Sequence, residues 1–323
     1  MPAMSVYPYR PLETGSLRTR SIKGRPSKVD LSAFARPYRK GEGLQGWMRS
    51  LPGILAGTDF REAVESLERA RRKERAMVWG LGGHVVKCGL NAVIIDLMER
   101  GYVSALALNG ATAIHDFEIA LVGATSEEVE KDLAEGDFGV SEETGREMNA
   151  AVDRGVREGK GIGQALGEWI LERPGDYPHT DYSLLANALR RRVPVTVHVA
   201  LGTDTTHYHP SADGEALGRG TLQDFRLLAS VVRDLHDGGV YLNCGSAVIL
   251  PEVFLKAVNL VRNLGHPLDA FTTVNLDFLQ HYRPTRNVVQ RPTVGSGKGI
   301  ALTGHHELMI PLLAAALVER DQE

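Results

Sequence analysis

The sequence predicts an α/β protein built on a doubly wound, mostly parallel open sheet. Two observations predict it. Short, near-continuous apolar runs alternate with segments of helical period along most of the 323 residues. Most of those runs end in glycine or a small polar residue. A strand that is apolar at every position is covered on both faces, and helices on both faces are the mark of a parallel sheet. Too few clear strands are present for an eight-fold barrel of this length. The expected organisation is an extended basic arm over 1–50 and a single α/β domain over 51–323. The arm carries Pro2, Pro8, Pro11, Pro26 and Pro37 among many Arg and Lys residues, with no apolar period. It is an irregular surface segment, or an arm that is mobile or wrapped on a neighbouring subunit.

The elements follow in order. Thr58 and Asp59 are candidate caps for a helix through Arg61 to Lys73, whose basic last turn suits the negative end of its dipole. Ala76 to Trp79 is the first strand, ending in Gly80. Leu90, Val93, Ile94, Leu97 and Met98 have helical spacing, and Gly101 stops that helix. Val103 to Leu108 reads as a buried strand that stops at Asn109-Gly110. Ile114, Phe117 and Leu121 mark the next helix. A mostly helical insertion fills 125–192. Thr125 with Glu128 forms a capping-box pattern there, and Ser141 before Glu142 and Glu143 makes a second start. Gly161 to Arg173 and Thr180 to Arg192 complete it, separated by Pro174-Gly175. Alternation then resumes: strand Val195 to Ala200, helix Thr221 to His236, strand Val240 to Cys244, helix Pro251 to Asn263, strand Ala270 to Asn275 and helix Glu307 to Glu319.

Composition excludes several classes. Hydrophobic residues are 43% and charged residues 24%, ordinary for a globular chain. A net charge of −3 gives no basic field for nucleic acid. The two cysteines, Cys88 and Cys244, cannot build a disulfide scaffold or a four-cysteine zinc site. The first residues, MPAMSVYPYRPLETG, hold no apolar stretch of the secretory kind. The longest apolar run, Leu308 to Val318, is shorter than the roughly 18 residues that span a bilayer. The expectation is a cytoplasmic protein with no membrane partner.

Ligands of open parallel sheets bind beyond the carboxyl ends of the strands. Gly80-Leu81-Gly82-Gly83-His84, Asn109-Gly110, Gly202-Thr203-Asp204, Cys244-Gly245-Ser246 and Asn275 stand at those ends. Glycine lets backbone N–H groups approach a ligand, and a following helix adds the positive end of its dipole. That combination suits a phosphate-bearing ligand. Any single glycine is equally a tight turn. Gly80-x-Gly82-Gly83 is not a complete dinucleotide fingerprint either, because its third glycine would fall at Val85.

Three stretches resemble deoxyhypusine synthase, in order from about Trp79 to the C-terminal helix: VWGLGGHVVKCGLNAVIIDLMERGYVSALALNGATAIHDFEIALVG, SLLANALRRRVPVTVHVALGTDTTHYHP and GGVYLNCGSAVILPEVFLKAVNLVRN. The resemblance implies a Rossmann-like fold that binds NAD, in a homotetramer with sites at subunit interfaces. It implies hydride removal from an amine and an imine held on a lysine. It places Gly82, Gly83 and His84, with Val85 and Val86, in a first cofactor loop, and Asn109, Gly110 and Ala111 in a second. Asp116 and Glu118 match an acidic pair near cofactor and substrate. Thr203 and Asp204 match a Thr-Asp beside the cofactor. Gly245 and Ser246 match the turn before the catalytic lysine.

The lysine itself is missing from Leu250 to Glu252, and Lys256 comes too late. Where the resemblance implies an acidic polyamine site, the chain has Arg283, Arg286 and Arg291. Arginines attract carboxylate or phosphate, not polyamines. The expected function is therefore NAD-dependent chemistry on the C–N bond of a small amine or amino acid, but not deoxyhypusine synthesis. The three arginines and His305 are the candidate substrate contacts, unless the arginines are plain surface charge. Some ornithine cyclodeaminases look similar around ALALNGATAIHDFE, which makes an amino-acid substrate reasonable. His207 or His209 is the candidate proton acceptor, with Asp204 and Glu118 as further catalytic candidates. No metal enters this reading. The main alternative is a metal-dependent hydrolase using His207, His209, Asp204, His305, His306 and Glu307. A non-catalytic NAD-binding oligomer is the other. Gly295-Ser296-Gly297-Lys298-Gly299 reads as a flexible surface turn, and Cys244 as a small buried strand-end residue.

Overall fold

Strands β1 (Met77–Leu81), β2 (Ala105–Asn109), β3 (Val195–His198), β4 (Val240–Cys244), β5 (Thr272–Asp277) and β6 (Lys298–Thr303) make one sheet in the order β3-β2-β1-β4-β5-β6. Every neighbouring pair is parallel. The computed structural model describes residues 7–321. Positions 1–6 of the expected arm, Pro2 among them, lie outside the described residues.

Among the described residues, thirteen α-helical segments accompany the sheet: α1 (Gly43–Ser50), α2 (Leu55–Arg72), α3 (Gly83–Lys87), α4 (Asn91–Glu99), α5 (Gly110–Val122), α6 (Val129–Glu135), α7 (Glu142–Arg157), α8 (Ile162–Leu171), α9 (Leu184–Arg190), α10 (Gly214–Arg233), α11 (Ile249–Asn263), α12 (Tyr282–Pro284, running into a π-helical turn Thr285–Gln290) and α13 (His306–Val318). β1 feeds both faces of the sheet. Trp79 and Leu81 point into a core with α2, α4, α5, α8, α9 and α13. Val78 joins the opposite core, with α10, α11 and the π-helical turn. Trp79 is fully buried and donates its Nε1–H to the Tyr102 carbonyl at 2.9 Å. Burying such a side chain contributes about 2–3 kcal/mol.

A buried carboxylate ties elements together. Asp224 of α10 accepts from the N–H groups of Gly163 (3.0 Å) and Val197 (2.8 Å), joining α10 to α8 and β3. A Cβ on Gly161 would collide with that carboxylate. Burial raises Asp224 to about 7 against the pull of its hydrogen bonds.

The structure departs from the sequence reading at several places. β6 occupies part of the expected flexible turn. Its burial alternates, with only Ile300 and Leu302 inside, because it is the sheet edge and is covered on one side. The glycine within it, Gly299, lies where a Cβ would collide with the Val289 carbonyl. α10 starts seven residues before Thr221, capped by Asp213. Thr221 instead bonds β3, accepting from Val199 N–H and donating to the Val197 carbonyl, each at 3.2 Å. α2 likewise starts ahead of Thr58. Thr125 caps nothing, and its hydroxyl is drawn to Glu118 and His115. The arm ends sooner than residue 50: α1 packs Met48 into the core, and Gln45 donates to the Glu319 carbonyl at 2.6 Å. Residues 7–30 are exposed throughout.

Candidate active site

A cavity of about 210 Å³ lies beyond the carboxyl ends of β2 and β3, under the loop between α5 and α7. Ala111, His115 and Glu118 on α5, Glu127, Asp204 and Lys87 face it. His115 and Glu118 share one face of α5 because they are three residues apart. His115 Nδ1 is 2.7 Å from Thr125 Oγ1, which in turn donates to Glu118. Thr144 Oγ1 adds a bond to Glu118 at 3.3 Å. Burial alone would raise Glu118, but His115 and the threonine hydroxyls hold it below its ordinary value.

Asp204 is the other carboxylate. Its Oδ2 is buried with no hydrogen-bond partner, and burial raises the acid to about 6. The carboxylate lies over Gly110, the first residue of α5, where any Cβ would collide with it. Asn109 caps the same helix end, accepting from Thr112 N–H at 2.9 Å. The positive end of α5 is therefore already occupied by the protein's own groups.

The two candidate histidines are not free bases. His207 Nδ1 accepts from the N–H groups of Gly202 (3.1 Å) and Asp204 (3.3 Å), which leaves the proton on Nε2, 3.7 Å from Asp204 Oδ2. Burial lowers His207, keeping it neutral. His209 lies outside the cavity. It bonds Ser211 at 2.7 Å, approaches Glu142 at 3.5 Å and packs where a Cβ on Gly145 would stand. Thr203 lines the cavity and donates to the Ala200 carbonyl at 2.7 Å.

Asp116 is fully buried and engaged. It accepts from Asn91 Nδ2 (2.9 Å), Ser183 Oγ (2.7 Å) and the N–H groups of Leu184 (2.6 Å) and Leu185 (3.0 Å). It holds the first turn of α9 beside the capping residue Ser183. The three arginines do not converge on the cavity. Arg283 approaches Glu252 at 3.3 Å, while Arg286 and Arg291 bond Gln290 and Asn287 one turn away. Lys256 pairs with Glu252 on the surface of α11. Lys298 binds Glu62 at 2.9 Å, at the amino end of β6 and so at the wrong end of the sheet.

Beside this cavity, at the reversal of strand order between β1 and β4, two glycine turns meet. Gly82 N–H donates to the Cys244 carbonyl at 2.8 Å, and a Cβ on Gly82 would collide with the Gly245 carbonyl. Gly83 packs on Ala111 and His115. Gly245 has a left-handed backbone (φ 72°), with the His306 ring against it. Ser246 is buried and its Oγ accepts from Leu250 N–H. Gly83 and His84 open α3, where N–H groups have no partner within the helix. The Gly245–Val248 turn leads into the fifteen-residue α11. The two turns line a crevice at this switch point.

On its far side the structure assembles a group the sequence reading did not single out. His84, Cys88 and Glu307 bring their ligand atoms within 4.8 Å of one another. His305, exposed, stacks on Phe278 at 6.2 Å. The expected metal cluster of His207, His209, His305 and His306 does not form, because the first pair belongs to the β3 end and the second to the β6 end. His115 and Lys87 were also missed. The signal for His115 was its three-residue spacing from Glu118, and for Cys88 its four-residue spacing from His84.

No family model matches the chain, and no curated protein matches it. Solved structures share its fold. A protein from Methanococcus maripaludis S2 provisionally named LOR/SDH has a TM-score of 0.51 and 16% identity, over 82% of this chain and 70% of its own. AgrE, solved as a ternary complex with ornithine and NAD+, has a TM-score of 0.51 and 14% identity, over 82% of this chain. This chain spans only 33% of AgrE. A protein from Entamoeba histolytica provisionally named deoxyhypusine synthase has a TM-score of 0.51 and 12% identity, over 88% of this chain and 96% of its own. At these identities the likeness is one of fold: the chain shares its parallel α/β architecture with these proteins.

Proposed function

We propose that this chain is an NAD-dependent enzyme acting on the C–N bond of a small amine or amino acid. The observation that carries the proposal is the buried Asp204 carboxylate, whose Oδ2 has no hydrogen bond, at a small cavity that also holds Glu118 and Glu127. Three carboxylates against the one ammonium of Lys87 favour a cationic amine over an anion. A volume of about 210 Å³ suits a small metabolite and not a dinucleotide. The cofactor reading rests on the adjoining crevice: Gly83, His84 and the Gly245–Ser246 turn would hold the phosphates. NAD, when bound, supplies the hydride acceptor.

The remaining roles belong to this chain's side chains. Glu118, held ionised by His115 and Thr125, orients the ammonium group. Asp204, raised to about 6, is ionised at neutral pH yet close enough to its pKa to take a proton as the C–N bond is oxidised. His207 holds the Asp204 loop in place and is a positioning residue. By the same resemblance the working unit is a homo-oligomer, with the exposed arm reaching a neighbouring copy. A metal hydrolase built on His207 is disfavoured, since its Nδ1 lone pair is already engaged.

The test begins with NAD calorimetry on the purified chain, followed by a screen of amines and amino acids for reduced-nicotinamide absorbance. Asp204→Asn is expected to lower turnover by about 100-fold or more, with NAD affinity within about threefold of wild type on the order-of-magnitude scale of an indirect contact. Absence of NAD binding by the folded chain would sink the reading. Binding without turnover of any amine would leave a non-catalytic NAD-binding oligomer.

A further inference from the structure

The group beyond the crevice carries a second conclusion. His84 and Cys88 stand one helical turn apart at the two ends of α3, directly after β1. Glu307 lies in the first turn of α13, directly after β6. Cys88 Sγ is 3.3 Å from His84 Nε2 and 3.8 Å from Glu307 Oε2, across a sequence separation of 219 residues. Ligand atoms around a tetrahedral zinc ion are about 3.3–3.6 Å apart, from metal–ligand bonds of about 2.0–2.3 Å. Two of the three edges are thus close to those of a metal tetrahedron, and the third lies within 4.8 Å.

A second observation lies against it. His306 is 1% exposed, and its ring centroid is 5.6 Å from that of His84. Its Nε2 is 3.1 Å from the Leu276 carbonyl, so the proton belongs on Nε2 and the Nδ1 lone pair is left. That Nδ1 is buried without a partner. A water molecule on a bound metal is a donor of the kind this acceptor lacks.

We propose that His84, Cys88 and Glu307 bind a divalent metal ion of the zinc type, with the fourth coordination position open to water or substrate. A thiolate, an imidazole and a carboxylate favour zinc and its transition-metal neighbours and disfavour magnesium and calcium. Three protein ligands with one open position is the pattern of reactive rather than structural zinc. The ion would sit at the ligand-binding end of the sheet, beside the crevice. His84 is shared with the crevice assigned to NAD, but the metal site rests on its geometry with Cys88 and Glu307 and needs no bound NAD.

The test is titration of the full chain, stripped with a chelator and dialysed, with Co²⁺ alone. The expected result is one cobalt per chain, a near-ultraviolet sulfur-to-cobalt charge-transfer band and visible bands of tetrahedral strength, all displaced by Zn²⁺. Cys88→Ser should abolish the charge-transfer band. Glu307→Gln should weaken cobalt binding by about tenfold or more. Both positions reach the surface, and far-ultraviolet circular dichroism checks that each variant is folded. No charge-transfer band in the wild type, or a band that survives in folded Cys88→Ser, overturns the proposal. NAD is titrated separately, so failure of either reading leaves the other standing.

Discussion

Asp204 shows how much one residue can carry. Desolvation raises it to about 6 from an ordinary 3.8, so the folded protein holds this proton more tightly than the unfolded chain does. Above pH 6 the folded state bears a buried charge whose Oδ2 has no hydrogen bond. As pH falls from 6 towards 3.8 that burden is lifted, and the contribution to stability rises. Asp204→Asn is therefore expected to be more stable than wild type near pH 7.5, by at most about 3 kcal/mol for a shift of roughly two units. The difference should close towards pH 4. Urea denaturation at stepped pH measures it, and a constant difference across that window would show that the carboxylate is not buried unpaired. A group that destabilises its own fold at neutral pH is the kind found at functional sites.

At the scale of elements, polar cross-ties decide where helices start and where they dock. Asp116 on α5 holds the start of α9 through two backbone and two side-chain donors. The resemblance implied a cofactor contact, and the two roles differ in what they predict. Asp116→Ala leaves several buried donors unsatisfied and should cost about 3 kcal/mol or more in urea denaturation. NAD affinity at a denaturant-free, fully folded temperature should stay within about threefold. A large loss of affinity with unchanged stability would return Asp116 to the cofactor site. Thr221 and Thr125 teach the same lesson in reverse. Both look like helix caps in the sequence, yet one bonds a strand and the other bonds a carboxylate, because a hydroxyl takes whichever partner the packing brings nearest.

The whole molecule is set by strand order. Placing β4 beside β1 makes the crevice at the switch point, and placing β6 beyond β5 brings α13 close to α3. The arm is the remaining large-scale feature. Leu12 is 92% exposed and Leu17 73%, and no residue from 7 to 30 is buried. Exposed apolar residues along an extended segment suit contact with another copy. Deleting residues 1–30 is expected to leave the urea midpoint of the sheet domain nearly unchanged while lowering the mass measured by light scattering. An unchanged mass would remove the arm from the proposed assembly.

The sequence by itself determined the fold class and the approximate positions of β1 to β5, because burial on both faces writes a continuous apolar run into each of those strands. It marked the strand ends as the place to look, since glycine beside a strand end has few other uses. β6 was not legible: an edge strand buries one face only, and its alternate positions read as polar turn. Only the tertiary structure decided which residues meet. It set Asp204 over Gly110, engaged Asp116 and His207 elsewhere, spread the three arginines along their own helix and gathered His84, Cys88 and Glu307. Periodicity is a property of neighbours along the chain and survives in the sequence. A meeting of side chains 219 residues apart depends on strand order and helix packing, and no local pattern records those.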